Sequence, residues 1–221
     1  MITALIAGTD ETYEHVREGD GLAALDQPVL GWMLARRSPG LDSAVTAFTN
    51  LGGKVWMSVI ATLAVLVLAR WWRSWTPIVL MAVAAAGSTV MTSVGKVLTS
   101  RARPPLADAV PPYETTPSFP SGHTLNTTVV ALVLLYLVLC HVAAVGSRVA
   151  ATIALVTFAL AMGASRVYLG HHWLTDVIAG WAAGAAWAGV VVMGHRLLLA
   201  LLRRRAGRER VAQGSGTTTT H

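Results

Sequence analysis

TLNTTVVALVLLYLVLC, residues 124–140, runs seventeen positions without a charge. Three similar runs follow from the same count: 78–95 and 177–194 at eighteen residues each, and 149–165 at seventeen. At about 1.5 Å of rise per helical residue, each crosses most of a hydrocarbon core of roughly 30 Å. A fifth run, 55–69, is shorter at fifteen, but Lys54 and Arg70 at its ends can snorkel and Trp71 and Trp72 can anchor at an interface. Among 221 residues 54% are hydrophobic and only 13% charged, which excludes an ordinary soluble domain. The expected fold is all-α, a polytopic membrane helix bundle with five transmembrane spans plus amino-terminal interfacial helices.

Three regions follow. Residues 1–50 lie outside the bilayer core: MITALIAG at the start is too short to cross, and nothing there has the form of a cationic signal peptide with a cleavage site. Pro28 and Pro39 sit at two helix starts, with Trp32, Met33, Leu34 and Phe48 among the apolar positions, so the segment reads as one or two interfacial helices. A loop packed on the bundle is the equal alternative. Residues 51–205 form the transmembrane core, and residues 206–221, ending in GSGTTTTH, read as a disordered tail.

Arginine placement sets the orientation. Arg70, Arg73, Arg148, Arg196, Arg203, Arg204, Arg205, Arg208 and Arg210 belong on the cytoplasmic side, which turns the amino-terminal segment and the loops 96–123 and 166–175 outward. The formal charge of +6 is thus a topology signal, and nucleic acid is not an expected partner. Cys140 is the single cysteine, which rules out a disulfide or thiolate cluster within the chain; it reads as a packed small hydrophobe.

The two outward loops hold the unusual chemistry. Lys96, Arg103 and Arg166 gather three positive charges, and guanidinium forks match phosphate oxygens in pairs. In PSGH, residues 120–123, Ser121 is placed to cap the following helix, and Gly122 lets an anion approach the first free amides. His172 and Asp176 are four apart, so at a helix start they share a face and the carboxylate can accept the Nδ1 proton. Nε2 of His172 is then free as a nucleophile, and His123 from the other loop can act as general acid and base. His171, turned away from Asp176, reads as a rim residue; Arg101 reads as a snorkelling or headgroup residue, and Asp108 and Glu114 as solvated. His141 and His195, at the cytoplasmic end, read as structural. A metal held by His123, His171, His172 and Asp176 is the competing account, disfavoured because three cations share the pocket.

At these residues the sequence resembles the type 2 phosphatidate phosphatase superfamily of integral membrane lipid phosphatases, whose catalytic fold is shared with vanadium haloperoxidases. Three blocks carry the resemblance: KVLTSRARP at 96–104, PSGH at 120–123 and SRVYLGHHWLTD at 165–176. It implies His172 as nucleophile, Asp176 as its partner and His123 as general acid and base. Lys96, Arg103, Ser121, Gly122 and Arg166 would hold the phosphate, with no metal and no cofactor. The implied activity is metal-independent hydrolysis of a membrane lipid phosphomonoester or pyrophosphate at the outer face of the cell membrane, through a phosphohistidine. Phosphatidate, diacylglycerol pyrophosphate, phosphatidylglycerol phosphate and polyprenyl pyrophosphate are the substrates it allows. Phosphoryl transfer to another acceptor, or a lipid or anion transporter that only binds, are the alternatives. Members commonly have six spans, whereas five are found here.

Overall fold

The computed structural model describes residues 21–215. A short 3-10 turn, Gly21–Leu25, leads into α1 (Asp26–Leu34) and α2 (Pro39–Asn50). Five long helices follow: α3 (Lys54–Trp72), α4 (Thr76–Thr99), α5 (Gly122–His141), α6 (Val145–Tyr168) and α7 (Leu174–Ser215). All five are long and apolar enough to cross a membrane, as expected from the uncharged runs.

The helices outrun those runs because a charge does not end a helix. α4 continues through Lys96, and α6 through Arg166. Both cations therefore stand in last turns, where positive charge complements the exposed carbonyls. α4 stops at Ser100, whose left-handed φ of 46° turns the chain out and lets its N–H reach the Lys96 carbonyl. α7 likewise passes Arg205 and is helical through Ser215, within the stretch expected to be disordered; 216–221 lie outside the described residues.

α5 is the axis of the bundle. Half of its span is buried within the protein, against 11–22% for the other four, whose outer faces are left to lipid. Leu125, Val129, Val133 and Leu137 recur every fourth residue on α5 and meet Met57, Ala61 and Val65 of α3, Leu80 and Ala84 of α4, and Ala188 and Val191 of α7. The last turn of α5 emerges from this packing, so Cys140 is exposed rather than packed as the sequence suggested.

Lipid tails are as apolar as leucine, so helices in a bilayer associate by close packing of small residues. Gly184 of α7 lies where an added Cβ would be 2.9 Å from the Leu125 carbonyl oxygen, and at Gly180 it would be 3.1 Å from that of Ser121. Gly87 and Gly163 make room for the rings of Trp187 and Trp181. Those indoles donate to helix carbonyls, Trp187 to Ala84 at 2.9 Å and Trp181 to Ala159 at 3.0 Å.

The amino-terminal segment is both helical and packed on the bundle. Ser38 caps α2, with Pro39 at its first position. α1 and α2 lie on α6, and α1 also reaches α7; Phe48 meets Phe158 edge-on at 5.7 Å. Arg37 Nε donates to the Tyr168 carbonyl at 2.8 Å and Nη1 to that of Asp108 at 2.6 Å, fastening the 101–121 loop to the end of α6. Gly170, at φ 70°, admits this loop: a Cβ there would fall 2.2 Å from the Asp108 carbonyl oxygen. Asp26 ties α1 down. It accepts from Thr175 N at 2.9 Å, Thr175 Oγ1 at 2.8 Å and Arg101 Nη2 at 2.7 Å.

The 101–121 loop joins the starts of α3, α5 and α7 and the ends of α4 and α6 at one end of the bundle. At the other end His141 stacks on Trp72 at 3.8 Å, and His195 pairs with the Tyr136 hydroxyl at 2.8 Å.

Gly184→Val should force α5 and α7 apart and cost about 1–3 kcal/mol, seen as a lower thermal midpoint in detergent; an unchanged midpoint would show that this contact can relax. Asp26→Ala should cost about 3 kcal/mol by leaving Arg101 and the Thr175 amide under-paired. Combined with Arg101→Met it should cost less than the two single losses added together, as a double-mutant cycle would report.

Candidate functional site

Asp176 enters α7 on its first turn and is fully buried. Its Oδ2 accepts from Trp173 N at 2.9 Å, the reach-back from the third helical position that steadies a helix start. The same carboxylate accepts from Arg101 Nη1 at 2.5 Å, from Ser118 Oγ and from His172 Nδ1 at 3.3 Å. Arg101, expected to snorkel, is therefore a part-buried link between Asp26 and Asp176. The reason is tertiary: α1 supplies a carboxylate that nothing near Arg101 in the sequence announces.

His172 is 1% exposed. Its Nε2 lies 3.1 Å from Arg103 Nη1. A guanidinium only donates, so Nε2 carries the lone pair and Nδ1 the proton, which points to Asp176. Burial pulls the imidazole down from its usual range; Asp176 raises it, Arg166 and Arg103 lower it, and the balance is about 4. The ring is thus neutral at pH 7.

Arg103 is threaded through the loop: Nε donates to the Thr116 carbonyl at 2.7 Å, Nη1 to that of His171 at 2.5 Å, and Nη2 to Glu114 Oε2 at 2.7 Å. Lys96 Nζ turns to the same strand of loop, donating to Thr116 Oγ1 at 2.8 Å and the Pro117 carbonyl at 2.6 Å. Arg166 is 2% exposed; Nη1 donates to Thr49 Oγ1 of α2 at 3.0 Å, Nη2 to Glu114 Oε1, and Nε has no partner among the described residues. His123, on the first turn of α5, places Nδ1 3.9 Å from Glu114 Oε1.

The PSGH turn is gripped from two sides. A Cβ at Gly95 would lie 2.6 Å from Pro120, and Ser121 N donates to the Asp176 carbonyl at 3.1 Å. Ser121 does stand before the first residue of α5, but its hydroxyl accepts from Thr124 Oγ1 at 2.9 Å instead of capping the helix amides. Gly122 packs against Thr92 of α4.

Lys96, Arg103, Ser121, Gly122, His123, Arg166, His172 and Asp176 thus meet at one end of the bundle. His171 differs from its expected place: it is 4% exposed, and its Nε2 is 2.7 Å from the Val110 carbonyl. Burial, followed by the charge of Arg166, holds its pKa below the usual value. It secures the loop. Glu114 is the larger departure. Read as solvated, it sits between Arg103 and Arg166 with its Oε2 4.0 Å from His172 Nε2. Burial would raise its pKa, but Arg166, His172, Arg103 and His123 outweigh this and hold it at about 2. Asp108 gives its carbonyl to Arg37. Thr49, Asp26 and Ser118 were not singled out from the sequence; only Ser118, two residues before Pro120, adjoined a motif. Among the described residues no three His, Cys, Asp or Glu side chains converge as a metal site.

The Bacillus subtilis (strain 168) protein phosphatidylglycerophosphatase B is 28% identical over 149 residues, 67% of this chain and 72% of its own length. The crystal structure of a transmembrane PAP2 type phosphatidylglycerolphosphate phosphatase from Bacillus subtilis shares the fold, with a TM-score of 0.78 at 24% identity over 88% of this chain and 94% of that one. LpxE of Aquifex aeolicus shares it at a TM-score of 0.60 and 22% identity, over 76% of this chain and 95% of that one. The model of the PAP2 superfamily matches residues 77–198. That stretch takes in all three sequence blocks and more than half of the chain, and the protein accordingly belongs to the PAP2 superfamily.

Proposed function

We propose that this membrane phosphatase removes a phosphoryl group from a membrane lipid by way of a phosphohistidine on His172, without a metal, at the outer face of the membrane. The observation that carries the reading is the orientation of His172: Nδ1 is held by a buried carboxylate, and Nε2 keeps its lone pair on the side of Arg103 and Glu114. In the first step the Nε2 lone pair attacks phosphorus and the bond to the lipid oxygen breaks. His123 supplies the proton that the departing oxygen needs. Asp176 balances the positive charge that grows on the imidazole. In the second step His123 takes a proton from water, the water oxygen attacks phosphorus, and the P–N bond breaks to release inorganic phosphate and neutral His172. Arg103, Arg166 and Lys96 would bear the negative charge of the equatorial oxygens throughout.

The arginine-rich far end of the bundle supports the outward orientation of the site, since positive residues favour the cytoplasmic side. Similarity to phosphatidylglycerophosphatase B supports a glycerolipid phosphomonoester as substrate, and phosphatidylglycerol phosphate is the first to assay.

Purified protein in detergent should release inorganic phosphate from such a lipid in EDTA, and orthovanadate should inhibit. His172→Ala should bring release to background and His123→Ala should lower it by about 10²–10⁴-fold. Release that survives His172→Ala overturns the nucleophile, and release abolished by EDTA overturns the metal-free mechanism. The acid limb is also fixed: protonation of Nε2 removes the nucleophile, so kcat/KM should fall as pH drops through about 4, the value set by burial of His172. A limb near the ordinary histidine value of about 6.5 would show a solvated ring.

A further inference from the structure

Resting on that reading of the site, we propose that Glu114 is a specificity-determining residue: its carboxylate occupies the phosphoryl position, and substrate must displace it. Two of the three cations proposed to grip phosphate also grip Glu114, Arg103 Nη2 at 2.7 Å from Oε2 and Arg166 Nη2 bonded to Oε1. The two histidines proposed to act on phosphorus flank the same carboxylate, His123 Nδ1 at 3.9 Å and His172 Nε2 at 4.0 Å. A phosphoryl group presented to Nε2 while accepting from both arginines needs this volume. Guanidinium forks receive carboxylate and phosphate alike, whereas two anions at these distances repel. One therefore excludes the other.

The surroundings show that the placement is particular to this side chain. Residues 111–113 and 115–116 are exposed, whereas Glu114 between them is part-buried with its carboxylate between the two arginines. It sits on a loop, apart from the helices that carry His123 and Arg166 and the turn that carries His172, so rotation about its own side-chain bonds carries it out without moving them. Its carboxyl, held at about 2, remains charged throughout the physiological range and does not vacate the site by protonation.

Displacement weakens every phosphate by the same factor, because apparent affinity scales with the fraction of sites left open. A lipid phosphate offsets that factor through contacts of its glycerol and chains, which small phosphates lack. The consequence is a site that tailed substrates fill at concentrations where soluble esters leave it to Glu114, and ejection of the product: once the lipid has left, inorganic phosphate competes with Glu114 unaided.

The test uses the full chain in detergent micelles. Equilibrium binding of inorganic phosphate is compared in wild type, E114Q and E114D, and the hydrolysis of para-nitrophenyl phosphate is compared with that of phosphatidylglycerol phosphate. E114Q keeps the shape and loses the charge, and should bind inorganic phosphate about tenfold more tightly. Hydrolysis of the soluble ester below its KM should rise by about that factor, more than hydrolysis at saturating lipid does. E114D, one methylene too short to span both arginines, should shift the same way by less, and serves if E114Q does not fold. Unchanged or weaker phosphate binding in the folded variants overturns the proposal, as expected if Glu114 only holds the arginines in place. Failure of the wild type to hydrolyse any lipid phosphate would sink the proposed function instead, since the binding measurement needs no turnover.

Discussion

The Asp176 carboxylate is the interaction on which the rest of this structure depends. A carboxylate without solvent contact is costly unless every lone pair is used, and here four donors supply that: Arg101, Ser118, the Trp173 amide and His172. They come from three separate pieces of chain: the exit from α4, the loop before PSGH, and the turn that leads into α7. The charge therefore dictates where three segments end. Arg101 extends the arrangement outward, because its second nitrogen meets Asp26 and makes α1 part of the same network. The amino-terminal helix α1 is thus bound to the group that orients His172.

Cation balance is the second constraint. Arg166 is buried at the end of an apolar helix, and Arg103 faces the same space, so without an anion the two would repel at low dielectric. Glu114 and the Thr49 hydroxyl answer this from elements far away in sequence. The arrangement keeps the guanidinium groups fixed before any ligand arrives, and donors that need no reorganisation are the ones that stabilise a developing oxyanion most.

The fold was legible because it is written in composition: five uncharged runs gave five spanning helices, and Pro28 and Pro39 marked the amino-terminal pair. Their ends were not legible from charge, since Lys96 and Arg166 lie within helices. At the site, the i,i+4 pairing of His172 and Asp176 is local and could be read directly. The meeting of the 96–123 and 165–176 stretches followed from counting spans. Glu114, Arg101 and Asp26 escaped because a single acid in a loop and a single base near an interface look alike whether solvated or paired. Only the tertiary path tells them apart. His171 escaped for the complementary reason: its neighbour was assigned the chemistry, and nothing local revealed that the Val110 carbonyl would cover it.

The small residues of the membrane core bear on the site as well. His123 and His172 stand at the starts of α5 and α7, so their separation is set by how closely those helices approach. Gly180 lets the Ser121 carbonyl come near enough that a Cβ would sit 3.1 Å away, and the Ser121 amide then reaches the Asp176 carbonyl at 3.1 Å. Gly95 does the same for Pro120 on the α4 side. A larger residue at either place would push the 120–123 turn outward and carry His123 with it. Helix packing in the apolar core, where water cannot compensate a poor fit, thereby sets the spacing of the two imidazoles at its edge.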